Sequence, residues 1–315
     1  MNSNNNAVQT YNTQIITQDL YNDFVAFIEG SSDTIKAYSN AVKQLFIYLQ
    51  ENGINQPTYD DIKAYRDELK RTRKPATVQL YIVAIKQFFK WTEQRNIYPN
   101  VAEGVKGAKI DRTHKRDYLP ATAIQTILKQ IDTDTLQGMR DYALITLAVT
   151  GGLRTIELQR ANIEDLATVG GNSVIWVQGK GHEEKAVYVK IPAQTEQAIR
   201  RYLAERSKAG YTVEGETPLF ISTSNHNNAG RMTTRSISRI VKEHLKQAGY
   251  NSDRLTAHSL RHTAVTLALL QGESLAEVQQ FARHQNIATT QIYNHAVDQA
   301  KNTCSTSVAD MIFCS

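Results

Sequence analysis

In 315 residues only two runs read as convincing strands, Ser173–Val177 and Ala186–Ile191. Both are rich in β-branched and aromatic residues, and they flank one hairpin-like connection from Gln178 to Lys185. A parallel sheet needs strands alternating with helices, and a sandwich needs many short strands, so neither can be built here. What remains is helical. The expected fold class is therefore mainly α: a small N-terminal four-helix domain, then a larger, mostly helical domain with a small antiparallel β-sheet.

Four amphipathic patterns define the first domain. Leu20, Phe24, Phe27 and Ile28 mark the first, and Ile35, Tyr38, Val42, Leu45, Phe46 and Leu49 the second, with Thr34 as its expected cap. Ile62, Tyr65 and Leu69 mark the third. Val78, Tyr81, Ile82, Ile85, Phe88 and Phe89 mark the fourth, opened by Pro75. Between the last two helices lie Lys70, Arg71, Arg73 and Lys74. A charge run at a helix–helix turn is by itself a solvated loop, but on a four-helix domain it also suits a clamp on a phosphate backbone. A connector follows without apolar periodicity, carrying Lys106, Lys109, Arg112, Lys115 and Arg116. The expected boundaries are a disordered 1–13, a first domain over 14–105, a basic linker over 106–118, a second domain over 119–300 and a tail over 301–315.

In the second domain, Thr122 is an expected cap for a helix carrying Ile124, Ile127, Leu128 and Ile131. An apolar helix over Tyr142–Val149 then runs into Gly151-Gly152-Leu153-Arg154. The glycines allow a sharp turn that aims Arg154 from a fixed point. Glu157 lies three residues on and shares a helix face with it, a spacing that by itself favours a surface ion pair. Further helices are expected around Ala198–Leu203 and Ile237–Ala248, with 211–231 as a surface loop between them.

The chemistry-bearing residues gather near the end. His258-Ser259-Leu260-Arg261-His262-Thr263 is followed by a helical run, then Ala282-Arg283-His284, then Tyr293-Asn294-His295. Two imidazoles and a guanidinium within two helical turns, a third imidazole and a phenol suit chemistry on a phosphodiester. A metal site does not fit. His258 and His262 share a helix face, but position 259 is serine where the zincin pattern has glutamate, and Arg261 would repel a dication. Gly179-Lys180-Gly181 lacks the spacing and the following helix of a P-loop. His262 reads as a core histidine bracing its helix. Cys304 and Cys314 form neither a disulfide framework nor a zinc pattern, and a net charge of +5 is compatible with nucleic acid.

With these motifs in view, the chain resembles the tyrosine recombinases of the phage-integrase family over roughly residues 14 to 300. The resemblance rests on Gly152-Leu153-Arg154-Thr155-Ile156-Glu157, Gly179-Lys180-Gly181, His258-Ser259-Leu260-Arg261-His262-Thr263 and the stretch from His284 to His295. One departure stands out: Arg283 occupies the position where the family has glycine before the histidine.

The resemblance implies a SAM-like core-binding first domain and a catalytic second domain. It implies a site-specific recombinase that cleaves and rejoins DNA through a 3′-phosphotyrosyl bond, in integration or excision of a mobile element or in resolution of DNA multimers. Tyr293 would be the nucleophile and His258 its general base. Arg154 and Arg261 would clamp the phosphate, His284 would add a hydrogen bond, and Lys180 would protonate the leaving oxygen, with Lys185 as the fallback. Glu157 would support Arg154. Holding a free phenol as phenolate at pH 7 costs about 4 kcal/mol, so a proton acceptor is needed. The bond energy is conserved in the covalent intermediate, so neither metal nor other cofactor is expected.

Expected partners are double-stranded DNA sites with inverted repeats, a homotetramer on two such sites, and an accessory directionality factor. The expected location is the bacterial cytoplasm, at the nucleoid, with no membrane. The short polar N-terminus favours a simple two-domain recombinase, as in Xer proteins or some mobile-element integrases. The apolar end of the tail, Val308 to Phe313, suits docking on a neighbouring protomer. Two rivals are a type IB topoisomerase-like nicking-closing enzyme and a non-catalytic DNA-binding regulator on the same scaffold.

Overall fold

The structure is a computed structural model. It describes residues 17–110, 118–179, 184–224, 227–293 and 303–313. The chain folds as two compact units, Met1–Arg112 and Thr113–Ser315.

The first unit is built from α1 (Gln18–Phe27), α2 (Ser32–Glu51), α3 (Tyr59–Thr72) and α4 (Pro75–Gln94). Three of these helices start where a side chain accepts a free N–H, and α4 starts at a proline, which has no N–H to satisfy. Thr17 caps α1, Thr58 and Asp61 form a capping box on α3, and Pro75 opens α4. On α2 the cap is Ser31, whose hydroxyl accepts from the Thr34 amide, so Thr34 lies inside the helix rather than at its cap. The apolar stripes meet in one aromatic core. Phe24 stands edge-on to Phe88 at 5.2 Å and tilted on Trp91 at 5.5 Å. Full burial of one such ring stabilises the fold by about 1.5–3 kcal/mol. Tyr98, Ala102 and Val105 also belong to this core, so the packed region continues past Pro99.

Lys70, Arg71, Arg73 and Lys74 are exposed around the α3–α4 turn, with Lys70 3.3 Å from Asp67. Lys106 and Lys109 are exposed on the segment after α4. Arg112, Lys115 and Arg116 lie outside the described residues.

The second unit begins with α5 (Ala121–Gln130), α6 (Leu136–Thr150) and α7 (Thr155–Arg160), and a short 3-10 turn leads into β1 (Leu166–Val169). Then come β2 (Asn172–Val177), β3 (Val187–Lys190), α8 (Ala193–Lys208), α9 (Thr234–Gln247), α10 (Ala257–Leu270) and α11 (Leu275–Ala282). Residues 287–293 form α12, and Cys304–Phe313 forms α13. The sheet is antiparallel in the order β1-β2-β3, with Leu166 opposite Ile175 and Ile175 opposite Val189. Thus β1 is a strand beyond the two expected. It turns into β2 through Gly170 and Gly171, both with positive φ, as a two-residue hairpin requires. The helix expected from Thr122 instead starts at Ala121 after Pro120, with no side-chain cap.

The 211–231 segment is not simply a surface loop: Leu219, Phe220 and Ile221 are buried. Two arginines tie it down. Arg206 donates to the carbonyls of Pro218, Leu219 and Thr212, and Arg231 to those of Gln159 and Ala161. A buried loop must have its carbonyls satisfied, and here cationic side chains do it. The core is organised by α6, which is buried nearly all round and packs against α8 and α10. That fixed α6 is what aims the loop after it. Val308, Met311, Ile312 and Phe313 on α13 are exposed. No helix among the described residues is long and apolar enough to cross a membrane.

Candidate active site

The site is assembled from three chain reversals. The first follows α6. Gly152 adopts φ +55, and a Cβ there would stand 3.1 Å from the Phe281 ring, so both backbone and space call for glycine. The turn delivers Arg154 to the start of α7. Glu157, one turn into that helix, accepts the Arg154 backbone N–H at 2.8 Å and its Nη1 at 2.9 Å. The Glu157 side chain is wholly buried, so this is not the surface ion pair that the spacing favours. Burial works to raise the Glu157 carboxyl, but Arg283, and then Arg154, hold it below its ordinary value.

The second piece is α10, whose packed face carries Arg261 into the interior. The residue is 1% exposed, and its guanidinium donates to the Gly152 carbonyl at 2.6 Å and to the Ala282 carbonyl. These bonds tie α10 to the turn before Arg154 and to the end of α11. Burial first, then the neighbouring charges of Arg154 and Arg283, lower the Arg261 guanidinium to about 9. It is still charged at pH 7, next to two other cations.

The third piece is the end of α11. Arg283 takes the left-handed conformation (φ 54, ψ 46), and the His284 N–H bonds back to the Gln279 carbonyl at 3.0 Å. This is the helix stop that glycine usually serves. The turn aims His284 at α12, where its Nδ1 lies 2.9 Å from the Thr290 hydroxyl. Burial, then Arg261, Arg154 and Arg283, push the His284 imidazole down to about 4, so it is neutral at pH 7. If Nδ1 accepts from Thr290, Nε2 carries the proton and is a donor.

Tyr293 completes the cluster. It is 5% exposed, and its ring stacks at 6.2 Å from His284. Its hydroxyl is hydrogen-bonded to His262 Nδ1, and His262 in turn packs edge-on to His258 at 4.5 Å. His262 is therefore an imidazole that touches the phenol. That residue is buried, as a core histidine is, but it is also a polar partner of the site.

A cavity of about 430 Å³ adjoins this cluster, lined by Arg154, Glu157, Arg283 and His284 together with Glu184 and Thr289 but not by Arg261 or Tyr293. Lys180 lies outside the described residues, as does His295. Lys185 is engaged elsewhere, its ammonium 2.7 Å from both Asp165 oxygens. So Arg154, Glu157, His258, Arg261, His284 and Tyr293 come together, and two groups join them that residue pattern did not single out. Arg283 was legible only as an odd residue before His284, and Thr290 only as a polar residue on the tyrosine helix.

Charge decides what the site can hold. Three guanidinium groups, Arg154, Arg261 and Arg283, surround the one buried carboxylate, Glu157, an excess of two positive charges in the buried cluster, with the exposed Glu184 on the cavity wall. Arg154 spends two of its five N–H donors, on Glu157 and on the Arg283 carbonyl at 3.2 Å. The remaining donors suit an anion with several oxygens.

Comparison with known proteins places this geometry. Residues 117–300 match the phage integrase family, and residues 19–96 match the phage integrase N-terminal SAM-like domain. The chain is 30% identical over 286 residues to a tyrosine recombinase XerC of Syntrophus aciditrophicus, covering 84% of this chain and 87% of the relative. It is 29% identical over 291 residues to the XerC of Thermodesulfovibrio yellowstonii, covering 90% and 92%. Among solved structures, the XerH site-specific recombinase on a palindromic difH substrate in a post-cleavage complex superposes with a TM-score of 0.73. The match covers 86% of this chain and 79% of that one at 21% identity, a likeness of fold. The chain belongs to the phage integrase family and is a tyrosine recombinase.

Proposed function

We propose that this site cleaves and rejoins DNA at specific sites, with Tyr293 as nucleophile. The observation that carries the reading is the excess of two positive charges beside a buried phenol. A phosphodiester carries one negative charge, and the phosphorane-like species formed when a phenolate adds to it carries two. The cluster thus gains most where charge is greatest, which is what lowers a barrier.

In the proposed reaction the Tyr293 oxygen forms a bond to phosphorus and the bond to the 5′-oxygen breaks. Arg154 and Arg261 hold the non-bridging oxygens, and His284 donates from Nε2. His262 holds the phenol at rest; once the phenol leaves it for the phosphate, His258 is the general base that takes the phenolic proton. Lys180 supplies the proton to the leaving oxygen. Rejoining is the reverse, with a 5′-hydroxyl attacking the phosphotyrosine.

The partner is double-stranded DNA with inverted repeats, gripped in part by Lys70, Arg71, Arg73, Lys74, Lys106 and Lys109, with Arg112, Lys115 and Arg116 in the same role. Four protomers work on two sites, with an accessory factor setting direction, at the nucleoid in the bacterial cytoplasm.

The test uses inverted-repeat sites that the protein itself selects from a randomised DNA pool. Two copies are placed on one supercoiled plasmid. The expected products are circles that have exchanged strands at the two sites. Relaxed plasmid without exchange would mean a topoisomerase-like enzyme, and bound plasmid with neither product a regulator.

A further inference from the structure

We propose that Arg283 is a positioning residue of this site: it shares the Glu157 carboxylate with Arg154 and so leaves Arg154 free to hold the substrate phosphate. The proposal rests on reading the site as one that cleaves a phosphodiester.

Arg283 stands in a left-handed conformation that glycine adopts without strain, yet it is a long charged residue. What it gains is visible in its bonds. Nε and Nη2 reach the two Glu157 oxygens at 3.4 and 2.8 Å. Nη1 donates to the carbonyls of Phe281 at 2.8 Å and Gly151 at 3.4 Å, and Nη2 also to that of Gly152 at 3.0 Å. A guanidinium has five N–H groups, and all five are used. Arg283 therefore has none left for substrate, although it edges the cavity.

Its effect reaches Arg154 by two routes. Its backbone carbonyl, which any residue at 283 keeps, accepts from Arg154 Nη2 at 3.2 Å, and its side chain, which glycine lacks, occupies the Glu157 oxygen that the Arg154 guanidinium would otherwise take. Without Arg283, the Arg154 fork can close on Glu157 in a bidentate pair and withdraw from the cavity. The excess of positive charge then falls from two to one. Arg283 also shares the Gly152 carbonyl with Arg261, so it ties the turn that aims Arg154 to the end of α11, which aims His284.

The test compares wild type, Arg283→Gly, Arg283→Lys, Glu157→Gln and the double variant Glu157→Gln/Arg283→Gly. The substrate is a nicked inverted-repeat duplex selected by the protein, and the readout is single-turnover formation of a covalent adduct. Loss of a charge-assisted contact predicts that Arg283→Gly slows the saturated rate about tenfold or more. Half-saturation should stay within about twofold, because the other phosphate contacts hold the duplex. Losing five hydrogen bonds around a buried carboxylate outweighs the backbone relief that glycine brings, so the melting midpoint should fall, and rates are compared per folded molecule well below both midpoints. Arg283→Lys keeps the charge and should recover part of the rate.

In the Glu157→Gln background, removing Arg283 should have little further effect, since there is no carboxylate left to share. A parallel titration with inorganic sulfate, followed at the Arg154 Nε–H resonance, reads the availability of Arg154 without DNA. Half-saturation should need several-fold more sulfate in Arg283→Gly than in wild type. Equal rates and equal sulfate affinity in wild type and Arg283→Gly would overturn the proposal. So would an undiminished effect of Arg283→Gly in the Glu157→Gln background, or a rate loss matching only the unfolded fraction. An adduct that survives Tyr293→Phe would instead sink the reading of the site on which the proposal rests.

Discussion

Tyr293→Phe is expected to abolish covalent capture of DNA while leaving DNA binding within about twofold of wild type. The substitution removes one oxygen from a ring that is 5% exposed and packed between His262 and His284, so the ring has no reason to move. What is lost is the hydrogen bond to His262, which contributes about 1 kcal/mol to the fold. Phenylalanine has no atom that can form a phosphoester. Loss of the nucleophile should therefore lower the rate by at least about 10⁴-fold. Gel-shift titration and denaturing gels on the same samples separate binding from chemistry. An adduct in the variant at more than a hundredth of the wild-type rate would remove Tyr293 from the reaction.

Arg261→Lys should produce the second-largest loss, about 10²–10³-fold in cleavage at saturating DNA. The charge survives, but the planar fork that reaches both the Gly152 and Ala282 carbonyls does not. An ammonium cannot join those two chain reversals and still face a phosphate. The same residue predicts a ligand effect on stability. Arg261 is lowered to about 9 by burial and by its cationic neighbours, so its charged form is disfavoured in the folded state. The unfolded chain binds the proton more tightly. Stability linked to this group therefore rises with pH only between about 9 and the ordinary arginine value, and at pH 7 the penalty is fully present. An anion in the site relieves it. Inorganic phosphate should raise the melting midpoint of wild type and raise that of Arg261→Lys less. Equal shifts in both proteins would place the anion elsewhere.

The helices of the first unit could be read from the sequence because each carries a stripe of apolar residues at helical spacing and a clear start. Thr34 misled only because Ser31, three residues earlier, offers the same kind of oxygen and caps first. In the second unit, β1 escaped notice because Leu166-Ala167-Thr168-Val169 is short and weakly alternating. Its Gly170-Gly171 hairpin was the better signal. The 211–231 segment looked like surface because Asn and Gly dominate its tip. The burial of Leu219 to Ile221 depends on Arg206, just before the segment, and on Arg231 at its end, whose carbonyl partners Gln159 and Ala161 are distant in sequence, and neither contact has a local signature.

The site divides in the same way. Arg154, His258, Arg261, His284 and Tyr293 were legible as residue types in a pattern. The burial of Glu157 was not, since spacing says which residues are neighbours on a helix but not what covers them. Nor was the contact of His262 with the phenol. It depends on α12 folding back onto α10, a tertiary fact. Arg283 shows the limit most clearly. Against the family pattern it is a missing glycine, whereas in the structure it is a full set of five hydrogen bonds around the carboxylate that orients Arg154.

The most direct test of the account is to map the bond itself. Wild-type protein is trapped on a nicked inverted-repeat duplex, digested, and the DNA-linked peptide sequenced by mass spectrometry. The expected product is a 3′-phosphate joined to Tyr293 and a free 5′-hydroxyl on the released strand. Attachment at any other residue, or through a 5′-phosphate, would contradict it.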